Sequence, residues 1–222
     1  MILSKRFVFI KTTMSIFSSI EQLIQWALLA VPSILIASTV HEYAHAYAAF
    51  KLGDATAKAE GRLTLNPLKH IDPIGAISMI LFRFGWSKPV PINEYNFENR
   101  ERDTALTSLA GPVSNLILAS LTALVNVIIP DNTIPLIEFL LYTFATINLA
   151  LAIFNLIPIP PLDGHKIVRA LLPKGLRSYW EGLEKYSLIL ILLLVLPFSP
   201  LSDYVFSFIN SILSWTLNIL GF

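Results

Sequence analysis

His41-Glu42-Tyr43-Ala44-His45 sets two imidazoles four residues apart, with a carboxylate directly after the first. On a helix, residues i and i+4 share a face. Two ring nitrogens can therefore reach one tetrahedral ion, leaving Glu42 beside the position kept for water. Zinc lowers the pKa of such a water toward about 7, and a neighbouring carboxylate can take its proton as it attacks a carbonyl. Peptide hydrolysis is the reaction class this spacing suits. The same residue types also pack and hydrogen-bond between membrane helices, so the pattern has to be weighed against the rest of the chain.

A catalytic zinc keeps three protein ligands and one open position. The chain has no cysteine, which excludes disulfides and thiolate ligands and leaves only His and carboxylates. His70, His165, Glu60 and Glu138 are weaker candidates, and His70 with Asp72 reads as a solvated loop pair. The better third residue is Asp163, in Asn155-Leu156-Ile157-Pro158-Ile159-Pro160-Pro161-Leu162-Asp163-Gly164. The prolines stop the preceding helix, and broken backbone at membrane depth is tolerated only beside protein or a polar cavity. On the residues alone Asp163 has two readings, metal ligand and N-cap of a helix beginning near His165.

The elements that must position these residues are apolar. The 222 residues are 55% hydrophobic and 14% charged, against about a quarter charged in soluble domains. A net charge of +1 lacks the basic field of a nucleic-acid-binding protein. The fold expected is an all-α polytopic membrane protein with four to six transmembrane helices. Its runs are Leu23 to Phe50, carrying the HExxH pattern, Thr104 to Ile129 opened by Asp103 or Thr104, Pro135 to Ile157, and a terminal apolar pair, Ser187 to Leu196 and Tyr204 to Leu220, broken by Pro197 and Pro200. Ile74 to Trp86 is about half a span, and either crosses at a tilt or dips and returns. Between the HExxH helix and the helix from Thr104, Gly61 to Leu65 and Pro89 to Asn93 read as a short strand or hairpin element. Met1 to Ile20 reads as an uncleaved amphipathic lead-in. The whole chain, 1–222, reads as one membrane-embedded domain with its core at about 23–172 and terminal helices at about 186–222. Lys166, Arg169, Lys174, Arg177 and Lys185 follow the third long run, which by the positive-inside rule sets that loop, and the site beside it, toward the cytoplasmic face of a cell membrane.

HEYAH at 41–45, LAGPVSN at 109–115 and NLIPIPPLDG at 155–164, in this order on apolar segments, resemble the site-2 protease family of intramembrane zinc metalloproteases, peptidase family M50. Gly61 to Pro73 and Phe84 to Pro91 look like its compact prokaryotic branch without a PDZ domain. The resemblance implies that His41, His45 and Asp163 hold one Zn2+, and that Glu42 is the general base. It implies that Asn155 orients substrate or stabilises developing negative charge, and that Gly111, Pro112 and Asn115 are architectural, with Asn115 close to the site. It also implies a transmembrane protein or peptide as substrate, cut in or near its membrane segment. Two rivals are a scaffold that keeps the ion without turnover, which needs no base at Glu42, and a transporter, which needs acidic groups at several depths where only Glu138 stands out.

Overall fold

The computed structural model describes residues 20–82, 85–129, 134–195 and 200–222. Most of the lead-in and Pro197 lie outside these described residues. The described chain forms nine α-helices: α1 (Ile20–Lys51), α2 (Thr56–Ala59), α3 (Pro73–Phe82), α4 (Arg100–Ile128), α5 (Pro135–Asn155), α6 (Asp163–Leu171), α7 (Lys174–Glu181), α8 (Ser187–Val195) and α9 (Pro200–Ile219). Three of them are long and apolar enough to cross a bilayer: α1 over Trp26–Lys51, α4 and α5. The protein is a membrane protein with α4 at its centre, packed against α1, α5 and α6.

The residues sort in the way lipid demands. Ala37, Ala46, Ala49, Ala119, Ala145 and Ala152 are fully buried, whereas Leu28, Ile36, Ile117, Leu124 and Val127 face outward. Lipid tails are as apolar as leucine, so large aliphatic residues have no reason to turn inward, and small residues let the backbones approach. The inward face is also where polar side chains collect, among them Asn115 and Asn148, both fully buried.

Several boundaries differ from expectation. α4 starts at Arg100, capped by Asn99, whose side chain accepts from the Arg102 N–H. Asp103, in the first turn, instead accepts from the Asn99 N–H at 3.0 Å. The expected strand element does not form among the described residues. Gly61, with φ at +65°, opens a turn, and 89–93 is extended but unpaired, because Pro89 and Pro91 remove two ladder donors. What joins the two segments is a side chain: Arg62 Nη2 donates to the carbonyls of Lys88 (2.7 Å) and Pro89 (3.2 Å). One isolated antiparallel bridge, Ile71 with Ser87, is the only bridge in the described residues.

That bridge bears on whether 74–86 crosses. α3 has ten residues, about 15 Å of rise against a hydrocarbon core of about 30 Å. Gly75 lies so close to Trp86 that an added Cβ would meet its carbonyl oxygen at 2.1 Å, and Gly85 lies as close to Gly75. The Lys88 N–H also donates to the His70 carbonyl at 2.8 Å. The two described ends of the segment thus lie side by side, and α3 by itself is too short to cross.

Candidate metal centre

α1 carries His41 and His45 one turn apart, both buried at 7% and 6% exposure. Their Nε2 atoms lie 3.0 Å from each other. Asp163 Oδ2 completes a triangle, 3.2 Å from His41 Nε2 and 3.3 Å from His45 Nε2. Among the described residues this is the one group of three His, Cys, Asp or Glu side chains placed to share an ion.

The chemistry of the donors tests whether a cation fits. The Asn115 amide NH2 donates to the Ala37 carbonyl (3.1 Å) and to Asn148 Oδ1 (2.9 Å). This leaves Asn115 Oδ1 as an acceptor, 2.6 Å from His41 Nδ1. His45 Nδ1 faces the Thr107 carbonyl at 2.7 Å. Both Nδ1 atoms must therefore carry the proton and donate, which in the neutral imidazole leaves the lone pair on Nε2. Two lone pairs and a carboxylate oxygen then converge, and Asp163 Oδ2 is buried without a hydrogen-bond partner. Three electron-pair donors at this separation repel one another unless a cation lies among them. Zinc–ligand bonds of 2.0–2.1 Å place tetrahedral ligands about 3.3 to 3.4 Å apart; the two His–Asp edges of 3.2 and 3.3 Å lie close to this and the His–His edge of 3.0 Å is a few tenths shorter.

Two glycines make the close packing around the site possible. A Cβ on Gly111 of α4 would lie 2.4 Å from His45 Nε2 and 2.6 Å from His41 Nε2. Gly111 therefore leaves free the space that the three donors face. Gly164 does the same for backbone: its Cβ would meet the carbonyl oxygens of Leu156 and Ile157 at 2.3 and 2.5 Å. This close approach lets α6 start directly beneath the broken end of α5. The cap of α6 is Leu162, which makes no side-chain cap bond, so the N-cap reading of Asp163 fails and its carboxylate points to the histidines instead.

Glu42 is 7% exposed. Its carboxylate accepts from Ser87 Oγ at Oε1 (2.6 Å) and from the Val90 N–H at Oε2 (3.0 Å). Asn155, at the end of α5, donates from its amide to the Leu151 carbonyl at 3.0 Å. His70 is not a solvated loop residue: it is 2% exposed, and its Nε2 donates to the Thr64 carbonyl at 2.8 Å, closing the 64–70 turn. His165 stacks on Trp180 with ring centroids 5.2 Å apart and clasps α6 to α7. Glu138 lies in the first turn of α5. Sequence reasoning did not single out Asn148, the Thr107 carbonyl, Ser87 or the Val90 N–H. The one signal for Asn148 was a second asparagine within an apolar run.

Comparison with known proteins gives a consistent picture. The sequence model of "Peptidase family M50" matches residues 131–196. YwhC of Bacillus subtilis (strain 168), provisionally named a zinc metalloprotease, is 41% identical over 182 residues, covering 79% of this chain and 82% of that protein. Rip2 of Mycolicibacterium smegmatis, named in the same provisional way, is 29% identical over 177 residues, 77% of this chain and 68% of that protein. Zinc metalloprotease MJ0392 of Methanocaldococcus jannaschii is 32% identical over 151 residues, 67% of this chain but 35% of that longer protein. The same comparison against solved structures gives no match.

Proposed function

This chain belongs to peptidase family M50 and is a zinc metalloprotease; on that premise we propose that it hydrolyses peptide bonds in or beside transmembrane segments of membrane proteins, with His41, His45 and Asp163 as the zinc ligands and Glu42 as the general base. The observation that carries this reading is the convergence of two histidine Nε2 atoms and one buried carboxylate oxygen within 3.0 to 3.3 Å of one another. Zinc bound there supplies Lewis-acid polarisation of the scissile carbonyl and acidifies the attacking water. The chain's own groups do the rest. Asn115 and the Thr107 carbonyl hold each imidazole in the tautomer that leaves Nε2 free. Glu42 receives the proton from water on a carboxylate oxygen and passes it to the departing amine nitrogen. Asn155 is the residue proposed to orient substrate, for which its amide must leave the Leu151 carbonyl.

Depth supports a membrane-embedded reaction. His41 lies ten residues before Lys51, the end of α1, which is about 15 Å along the helix. On this reading the site is set well inside a spanning segment. The basic residues from Lys166 onward favour the cytoplasmic side as the nearer face of a cell membrane. We read 1–222 as one functional domain.

The test is zinc content together with cleavage of a model transmembrane substrate in liposomes, for wild type, Glu42→Gln and Asp163→Ala. Zinc retained without cleavage in Glu42→Gln, and zinc weakened in Asp163→Ala, support the roles. Wild-type cleavage in Glu42→Gln removes it as the base, and stoichiometric zinc with no cleavage of any membrane substrate moves the protein to the scaffold reading. Single cysteines placed at 174 and 185 in this cysteine-free chain test sidedness by labelling from either face.

A further inference from the structure

We propose that Ser87 is a positioning residue for Glu42, presented by a strap, residues 85–93, that Arg62 clamps from behind. The proposal rests on the reading of Glu42 as the base. A glutamate side chain has three rotatable bonds, and a base on such a stem is effective only if one oxygen is kept toward its proton donor. Here each oxygen is tied separately: the Ser87 hydroxyl donates to Oε1 at 2.6 Å and the Val90 N–H to Oε2 at 3.0 Å. Two donors on two oxygens fix the plane of the carboxylate. They use about two of its four lone-pair sites and leave the others for a water proton.

The strap is built to hold those donors still. Pro89 and Pro91 flank Val90, carry no N–H of their own, and force the residue before each into extended backbone. The Val90 side chain packs against Ala46 of α1 and Ala57 of α2, so its N–H is aimed by the same helix that carries Glu42. Arg62 is 6% exposed, an uncommon place for a guanidinium, and spends one nitrogen on the carbonyls of Lys88 and Pro89, the two residues between the donors. At the far end, Asp54 accepts from the Asn93 N–H at 2.8 Å. A strap needed only to cover the site has no use for a donor on each oxygen of one carboxylate.

The experiment uses the full chain in liposomes with a tagged transmembrane peptide, and reads kcat, KM and zinc per chain for Ser87→Ala, Ser87→Thr, Arg62→Lys and Glu42→Gln. The expected result for Ser87→Ala is a fall in kcat of about 10- to 100-fold, the scale of one hydrogen bond to a charged group, with KM and zinc content unchanged. Ser87→Thr restores most of kcat, and Arg62→Lys, which keeps the charge and loses the fork, falls between. Wild-type kcat in Ser87→Ala, or a rise in KM at unchanged kcat, overturns the positioning role. If Glu42→Gln is inactive in the same series, that failure leaves the reading of the base standing; if Glu42→Gln keeps full activity, base and positioning role fall together. Should Ser87→Ala lose zinc or helix content, Ser87→Cys keeps the shape with a weak donor; a reduced kcat supports the proposal and an undiminished one overturns it.

Discussion

Gly111→Ala should empty the metal site while leaving the fold in place. The new methyl would stand 2.4 Å from His45 Nε2 and 2.6 Å from both His41 Nε2 and His41 Cε1. Ordinary contacts of this kind lie beyond about 3.4 Å, so the rings must retreat by nearly 1 Å. The atoms in the way are the far ends of side chains, so retreat is cheap for the fold. It is not cheap for the site, where ligand distances must hold within about 0.2 Å. Each ring that swings also gives up its Nδ1 bond, to Asn115 or to the Thr107 carbonyl. Loss of such outer bonds alone typically costs 10- to 100-fold in metal affinity, and displacement of two ligands at once should exceed that. Replacing a mid-helix glycine by alanine otherwise favours helix by about 1 kcal/mol, so helix content should hold or rise. The assay is metal analysis after dialysis against a graded chelator, with circular dichroism on the same sample. Gly175→Ala, where a Cβ meets nothing within 4 Å, is the control and should match wild type. One zinc per chain in Gly111→Ala at wild-type affinity would refute the placement of the ion between the two Nε2 atoms.

Other outcomes follow from the same geometry. Gly164→Ala must push against two backbone carbonyls, so α6 shifts and carries Asp163 with it; zinc affinity and thermal stability should fall together, read by chelator titration and melting. Asn115→Ala frees the His41 tautomer and should weaken zinc by about 10- to 100-fold, measured by competition with a chelating dye. Arg169 is 4% exposed and faces Glu94 at 2.8 Å, Glu101 at 3.4 Å and Glu181 at 3.5 Å; Arg169→Leu strands these carboxylates and should cost about 3 kcal/mol in stability, seen in denaturant melts in detergent. Glu94 gives a pH signature. Burial pushes its carboxyl up, but the Arg169 guanidinium outweighs this and holds it below the ordinary value, so its contribution is present at neutral pH and is lost as pH falls below about 4.5. Acid melts should show that loss in wild type and a flatter profile in Glu94→Gln.

His41 and His45 were legible as a pair because helical spacing alone brings them together, and because no cysteine competes. Asp163 was legible as a residue but not as a role, since the proline break suits a cap and a ligand equally. What carries its carboxylate to the histidines is the approach of Gly164 to the end of α5, a contact between segments far from any periodic pattern. The strand reading failed at Pro89 and Pro91 for a reason already visible in the sequence: a proline-spaced extended segment looks like a strand by shape but lacks its donors. The Ser87 contact could not have been read at all, because it joins residues 45 apart through a loop of irregular backbone.

The zinc cluster and the helix bundle are one assembly. Asn115 on α4 donates to the Ala37 carbonyl of α1 and to Asn148 of α5, and accepts from His41. One amide thus bonds all three spanning helices at the point where the proposed metal ligands sit. In lipid, apolar area gives little drive for helices to associate, and buried polar bonds and close packing must supply it. A cation held by α1 and α6 adds a bond between elements that α4 already bridges. Metal binding and closure of the bundle therefore draw on the same contacts, and any ligand of the assembled state stabilises it by mass action. Removing zinc should lower the melting temperature of wild type but not of Gly111→Ala, which cannot hold it. Equal shifts in both, on adding chelator, would separate the metal from the fold and break this link.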